Sequence, residues 1–146
     1  MKLTHASSYA LHAVAYMAQQ KHEGPVASHK IAEQRGIPER FLLKVLKPLV
    51  SARVLLSVKG PHGGYRLARP ASDINMLEIV EAVDGGPILG QAPPPEVDDD
   101  KFPDFDIGQL KPLYNKLEKV CKESADLVRG NLDKVRLADL LSGRRS

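Results

Sequence analysis

The chain of 146 residues holds a single cysteine, no tryptophan and only 5% aromatic side chains. One thiol, Cys121, excludes an intramolecular disulfide framework. No apolar run approaches the roughly 18 residues that a membrane span needs. The opening Met1-Lys2-Leu3-Thr4-His5 has no apolar h-region, so no signal peptide is expected. These absences lead to a soluble, cytoplasmic protein with no membrane partner. No nucleophile–base pair, paired carboxylates or metal constellation stands out either, so an enzyme is not expected.

What is present is a 42% hydrophobic content, enough for a real core, and a charge that is unevenly spread. Residues 1–70 carry eleven basic and three acidic side chains, a net +8. Residues 71–146 carry ten basic and fifteen acidic ones, a net −5. Only the first half is suited to a polyanion.

The stretch from Gly36 to Leu67 gives that half its character. On a helical wheel at about 100° per residue, Phe41, Leu42, Val45, Leu46, Leu49 and Val50 share a core face. Arg40, Leu43, Lys44, Lys47 and Ser51 take the other, with no acid after Glu39. Pro48 threatens to end this helix early. Val54 to Val58 and Gly64 to Leu67 read as strands joined by Gly60-Pro61-His62-Gly63-Gly64. No Gly-Lys-Ser/Thr follows these glycines, which excludes a phosphate-binding loop. A basic helix after a Gly-containing turn, with a basic hairpin behind it, is the pattern of a winged helix-turn-helix. A plain surface hairpin is the competing reading of the glycines.

Around this centre the expected elements are regular. Thr4 caps a first helix of about 16 residues, closed by Gly24-Pro25. Its His5 and His12 lie on roughly one face, too few to hold a metal. A second helix follows Ala27 or Ser28 and ends at Gly36. A short one covers about Met76 to Ala82. Pro93-Pro94-Pro95, Asp98-Asp99-Asp100 and Pro103 mark an irregular acidic loop. Consecutive aspartates do not reproduce the alternating ligands of a calcium loop, so no metal is expected there.

Leu110 to about Lys134 is the longest helical pattern. Leu110, Leu113, Leu117, Val120, Ser124 and Leu127 recur at alternating 3–4 spacing, and Tyr114, Cys121, Val128 and Leu132 widen the stripe. The expectation is a dimerisation helix using Leu110, Leu113, Leu117, Val120, Cys121, Leu127 and Val128. Packing within its own domain is the alternative. Arg129-Gly130 could interrupt it. Leu137 to Leu141 forms a short apolar terminus before a basic tail, Arg144-Arg145. Cys121 is read most simply as a small apolar side chain. A redox switch through two copies near a dimer axis is the sharper alternative.

The expected fold is therefore mainly α with a small β-hairpin wing, a winged helix-turn-helix plus a long C-terminal dimerisation helix. Its segments are a DNA-binding domain over 1–85, an acidic Pro/Asp-rich loop over 86–108, and the dimerisation helix with the C-terminal segment over 109–146.

Val58-Lys59-Gly60-Pro61-His62-Gly63-Gly64-Tyr65-Arg66-Leu67-Ala68 is similar to the V-[RK]-G-x-G-G-Y-x-L-A hallmark of the Rrf-two family of bacterial transcription regulators. Met1-Lys2-Leu3, Tyr9-Ala10-Leu11, Ile31 to Ile37, Ile79 to Val83 and Leu137 to Leu141 fit the same family. The resemblance implies a homodimer with a winged helix-turn-helix at each end and the long helices crossed between. Cluster-binding relatives carry three cysteines in the loop before the long helix, and residues 87–106 have none. No cofactor, and in particular no three-cysteine iron–sulfur cluster, is expected. Where relatives often present Glu-Gln, this chain has Leu43-Lys44.

The expected function is a sequence-specific DNA-binding transcriptional regulator, a repressor, holding a palindromic operator in double-stranded DNA as a homodimer. Arg40, Leu43 and Lys44 are the expected major-groove readers, and Lys47 and Lys30 the phosphate contacts. Lys59, His62, Gly63, Gly64 and Arg66 serve the wing. A small molecule or a protein partner is left as effector. The competing class is a winged-helix protein–protein interaction module without specific DNA binding.

Overall fold

The computed structural model describes residues 1–20 and 24–142, and the Arg144-Arg145 tail lies outside them. Its elements are α1 (His5–Ala18), α2 (Ser28–Arg35), α3 (Glu39–Ser51), β1 (Leu55–Val58), β2 (Gly64–Leu67), α4 (Met76–Val83), α5 (Lys111–Asp133) and α6 (Leu137–Leu141). None of the described helices is long and apolar enough to cross a membrane. The chain divides into two compact units, residues 1–87 with 131–146, and residues 88–130.

The first unit is built on α1. Thr4 caps it, accepting from the Ser7 backbone N–H at 3.0 Å. The Thr4 and Ser7 hydroxyls both donate to one Asp84 carboxylate oxygen, at 2.8 and 3.0 Å. That oxygen satisfies the fully buried Ser7 hydroxyl and ties the start of α1 to the end of α4. Ala10, Ala13, Val14 and Met17 then pack against α2, α3 and α4.

α2 and α3 form the helix-turn-helix. Gly36 closes α2 in the left-handed region, at φ 63°, where a side chain would be strained. Ile37 is buried, and Pro38 precedes the first residue of α3. The Ser28 hydroxyl donates to the Glu39 carboxylate at 3.0 Å, linking the two helix starts.

α3 buries Leu42, Val45, Leu46 and Leu49, with Val50 half-buried. Phe41, expected on this face, is 50% exposed. At about 100° from Arg40 on the wheel, it lies on the border between the two faces. Pro48 does not end the helix, because the hydrogen bond it forfeits falls in the last turn. The turn closes from Val54 N–H to the Leu49 carbonyl and from Arg53 N–H to the Val50 carbonyl, both 3.0 Å. This is a Schellman closure with the apolar Val54 folded inward. Its left-handed residue is Arg53 at φ 60°, a position that usually falls to glycine.

β1 and β2 pair antiparallel, Leu55 opposite Leu67 and Val58 opposite Gly64. Val26 adds a single bridge to the outer edge of β2, exchanging hydrogen bonds with Tyr65 at 2.8 and 2.9 Å. A methyl group on Gly64, at φ 153°, would stand 2.3 Å from the Val26 carbonyl oxygen. The glycine permits this close approach.

Asn75 caps α4 in a reciprocal pair with Glu78. The segment before α4 pairs with the one after α5, through Met76 N–H to Val135 and Leu137 N–H to Ile74, both 2.8 Å. Leu137 is fully buried. The expected 109–146 segment is thus shared between the two units. Residues 131–142 belong with the first unit because Leu137 completes its core.

Within the second unit, residues 88–106 hold no helix or strand, and a 3-10 turn over Ile107–Leu110 leads into α5. α5 runs unbroken through Arg129 and Gly130.

Two substitutions test these backbone constraints in opposite directions. Gly64→Ala should lose about 1–3 kcal/mol of unfolding free energy, since neither colliding backbone can yield. Arg53→Gly should gain up to about 1 kcal/mol by relieving the left-handed arginine. Urea denaturation of both variants reads the sign and size of each.

Candidate nucleic-acid interface

Because α3 turns Leu42, Leu46 and Leu49 inward, Arg40, Leu43, Lys44 and Lys47 project outward. All four are exposed, Leu43 by 44%. Lys30 is exposed on α2, and Lys59, His62 and Arg66 are exposed on the wing. Ion pairs among the described residues include Arg69–Glu78, Lys101–Asp98 and Lys119–Glu123. None uses a cation of this surface. Six cations, Lys30, Arg40, Lys44, Lys47, Lys59 and Arg66, thus stand on one half of the chain without an ionic partner among the described residues. Glu39, the acid at the head of α3, accepts from Ser28.

The wing glycines divide by role. Gly60 turns the tip at φ 114° with open space around it. Gly63 and Gly64 were expected in the DNA contact, but both are half-buried. A methyl on Gly63 would lie 2.1 Å from the Val58 carbonyl oxygen, and Gly64 faces Val26. The smallness of Gly63 serves the hairpin's own closure and that of Gly64 the bridge to Val26, and the closed hairpin presents Lys59, His62 and Arg66. The sequence pattern shows that glycines are needed there but not which backbone approaches them.

Arg69 was not singled out in the sequence. It pairs with Glu78 and donates to the backbone carbonyls of Asp73 at 2.8 Å and Arg53 at 3.3 Å. One guanidinium thus joins the end of α3, the exit of the wing and the head of α4. Its distance from any helical or alternating pattern hides this role in the sequence.

The Rrf2 family, described as "Iron-dependent Transcriptional regulator", matches residues 3–143. The chain belongs to the Rrf2 family. It is 38% identical over 84 residues to the HTH-type transcriptional regulator IscR of Photobacterium profundum, a match covering 58% of this chain and 49% of that protein. The matched region thus spans about half the length of such curated relatives. Among solved structures, CymR, the global cysteine regulator of B. subtilis, superposes with a TM-score of 0.70 at 26% identity, covering 99% of both chains. IscR of T. potens gives 0.61 at 28% identity, covering 97% of this chain and 86% of that one. The fold class expected from the sequence, a mainly helical winged-helix regulator with a hairpin wing and a long C-terminal helix, is the one found, and the family is one of transcriptional regulators rather than enzymes.

The description of the Rrf2 family names iron, so the donor set matters. Iron–sulfur clusters are held chiefly by cysteine thiolates. The loop over 88–106 offers prolines and carboxylates, and the one thiol is on α5. Cys121 is half-buried, and a methyl on Gly90 would lie 1.9 Å from the Cys121 carbonyl oxygen. The loop backbone therefore rests directly on the helix at that turn. The residues present do not fit a three-cysteine cluster.

Two faces of α5 must be separated. Leu113, Leu117, Val120 and Leu127 lie within about 40° of one line and are exposed by 61, 47, 59 and 77%. Tyr114, Glu118, Cys121 and Val128 lie on the adjoining face and are half-buried. Glu118 accepts from the Ala92 N–H at 2.9 Å and from the Tyr114 hydroxyl at 3.0 Å, fixing the loop to this second face. Among the residues expected to dimerise, Cys121 and Val128 thus belong to the half-buried face, and Leu110 is half-buried too. A periodicity read at 3–4 spacing merges two neighbouring stripes into one.

The Tyr114 hydroxyl titrates above its ordinary range. Its hydrogen bond to Glu118 is the main cause, followed by desolvation and the charge of Glu118. Glu118→Gln removes the charge and weakens the acceptor, so the Tyr114 phenol should titrate lower. Phenolate absorbance followed against pH should show one of the four tyrosines moving down and the other three unmoved.

Proposed function

We propose that the protein is a sequence-specific DNA-binding transcriptional regulator, a repressor, that works in the cytoplasm as a homodimer on a palindromic operator. The observation that carries this reading is the set of cations on α3, α2 and the wing that have no ionic partner among the described residues. A protein-binding winged helix has no need for six cations without partners. A polyanion does, since each phosphate neutralised releases counterions. Arg40, Leu43 and Lys44 occupy the turns of α3 that a recognition helix presents to base edges, with Leu43 suited to a thymine methyl. Lys30 and Lys47 flank them as phosphate contacts, and Lys59, His62 and Arg66 extend the contact from the wing.

The homodimer rests on the exposed stripe of α5. Four large apolar side chains in one line, each about half exposed or more, call for a cover. A second copy of the same stripe gives a self-complementary interface, and two-fold symmetry then requires an operator with two related half-sites. This member works without a three-cysteine cluster, and its signal is a small molecule or a protein partner.

The first test is selection of bound fragments from genomic DNA, then nuclease protection of the best one. A protected palindrome is expected. On that site, Arg40→Ala or Lys44→Ala should cost about 1–3 kcal/mol and relax sequence preference. Lys47→Ala should weaken cognate and random duplex equally and reduce the salt slope by about 1. A Leu117→Lys, Val120→Lys double variant should sediment as a monomer. Absence of any enriched fragment would favour the protein-interaction reading, in which the cations serve an acidic partner.

A further inference from the structure

A cavity of about 390 Å³ opens beside the reading helix, lined by His5, Ala6 and Tyr9 of α1 and Phe41, Lys44 and Val45 of α3. Its size falls within the roughly 300–1,000 Å³ of small-molecule sites. The lining is divided in character. Ala6, Tyr9, Phe41 and Val45 give an apolar floor with two aromatic rings. His5 and Lys44 are its charged or titratable donors, both exposed, and among the described residues no carboxylate lines the space. The Lys44 ammonium sits 5.7 Å from the centre of the Phe41 ring, and the rings of His5 and Tyr9 are 6.2 Å apart.

This arrangement accounts for Phe41, which is 50% exposed although Leu42 and Val45 beside it on α3 are buried. Its counterparts on α1 are the small Ala6 and the half-buried Tyr9, which leave one side of the ring open. A flat apolar body would bury that surface. An anionic group at the rim would find an ammonium and an imidazole with no competing acid. A charge-assisted hydrogen bond there is about twice as strong as a neutral one.

We propose that this cavity is a binding site for a small aromatic monocarboxylate, its ring against Phe41 and Tyr9 and its carboxylate on Lys44 and His5. Lys44 is also placed to read DNA, so the ligand and the operator compete for one side chain. The competition rests on the proposed function, whereas the site does not. Ligand binding therefore acts as an inducer, withdrawing a cation from the reading face and placing a negative charge there.

The probe is 2-naphthoate, titrated into the full chain without DNA and followed by amide and side-chain NMR shifts. Shifts centred on Ala6, Tyr9, Phe41, Lys44 and Val45 are expected. The uncharged isostere 2-naphthamide should bind about tenfold or more weakly, as should 2-naphthoate to the Lys44→Met variant. Ala6→Phe, which fills the cavity and keeps Lys44, should abolish the shifts. Shifts elsewhere, for instance along the α5 stripe, or equal binding of acid and amide would overturn the site. In a second arm, saturating 2-naphthoate should release a bound duplex. Binding at the cavity with undiminished duplex affinity would overturn the competition. A chain that binds naphthoate but no duplex at any salt would instead count against the proposed function.

Discussion

The structure depends on α3 having two faces that cannot be changed independently. Leu42, Leu46 and Leu49 are fully buried, and together with Val45 they fix the rotation of the helix about its axis. At 3.6 residues per turn that rotation also decides that Arg40, Leu43, Lys44 and Lys47 face outward. The core and the basic surface are therefore the same constraint seen from two sides. The supports of α3 act to hold this rotation. The Ser28–Glu39 bond sets its start, and the Schellman closure and Arg69 set its end.

Much of this was legible in the sequence because it rests on period and on local chain chemistry. The helix-turn-helix, the break at Gly36, the Thr4 cap and the two strands of the wing all follow from residues within a few positions of one another. Phe41 was misplaced because a wheel assigns a border residue to the nearer apolar group without knowing how small the opposing Ala6 is. Gly63 and Gly64 were assigned to DNA because a motif shows where glycine is required and not what approaches it. The Val26 backbone, some forty residues upstream, is what comes near Gly64. Pro48 and Gly130 looked like breaks, yet Pro48 forfeits only a bond of the last turn, and one glycine inside a helix costs about 1 kcal/mol relative to alanine, too little to interrupt it.

The second unit shows a similar limit. Its helix was plain in the sequence, but the apolar positions of α5 serve two purposes. One stripe lies under the chain's own loop, through Gly90 on Cys121 and Ala92 on Glu118. The other is left open to solvent. Only the partner of each stripe separates them, and partners distant in sequence leave no periodic trace. The loop achieves its attachment with a glycine, a backbone amide and a carboxylate.

The pairing of Ile74 to Met76 with Val135 to Leu137 bears on how the molecule can be dissected. The chain leaves the reading unit after Pro87 and comes back to it at Asn131, so that unit is assembled from two pieces of sequence. A fragment ended at the apparent boundary near residue 87 would lack Leu137, a fully buried side chain whose loss from a core costs about 2–5 kcal/mol. It would also expose the backbone groups of Ile74 and Met76 that the returning segment satisfies. The reading head is thus not a detachable module. A shortened version that keeps its fold has to retain residues 131–142 and replace the intervening segment with a linker rather than stop the chain.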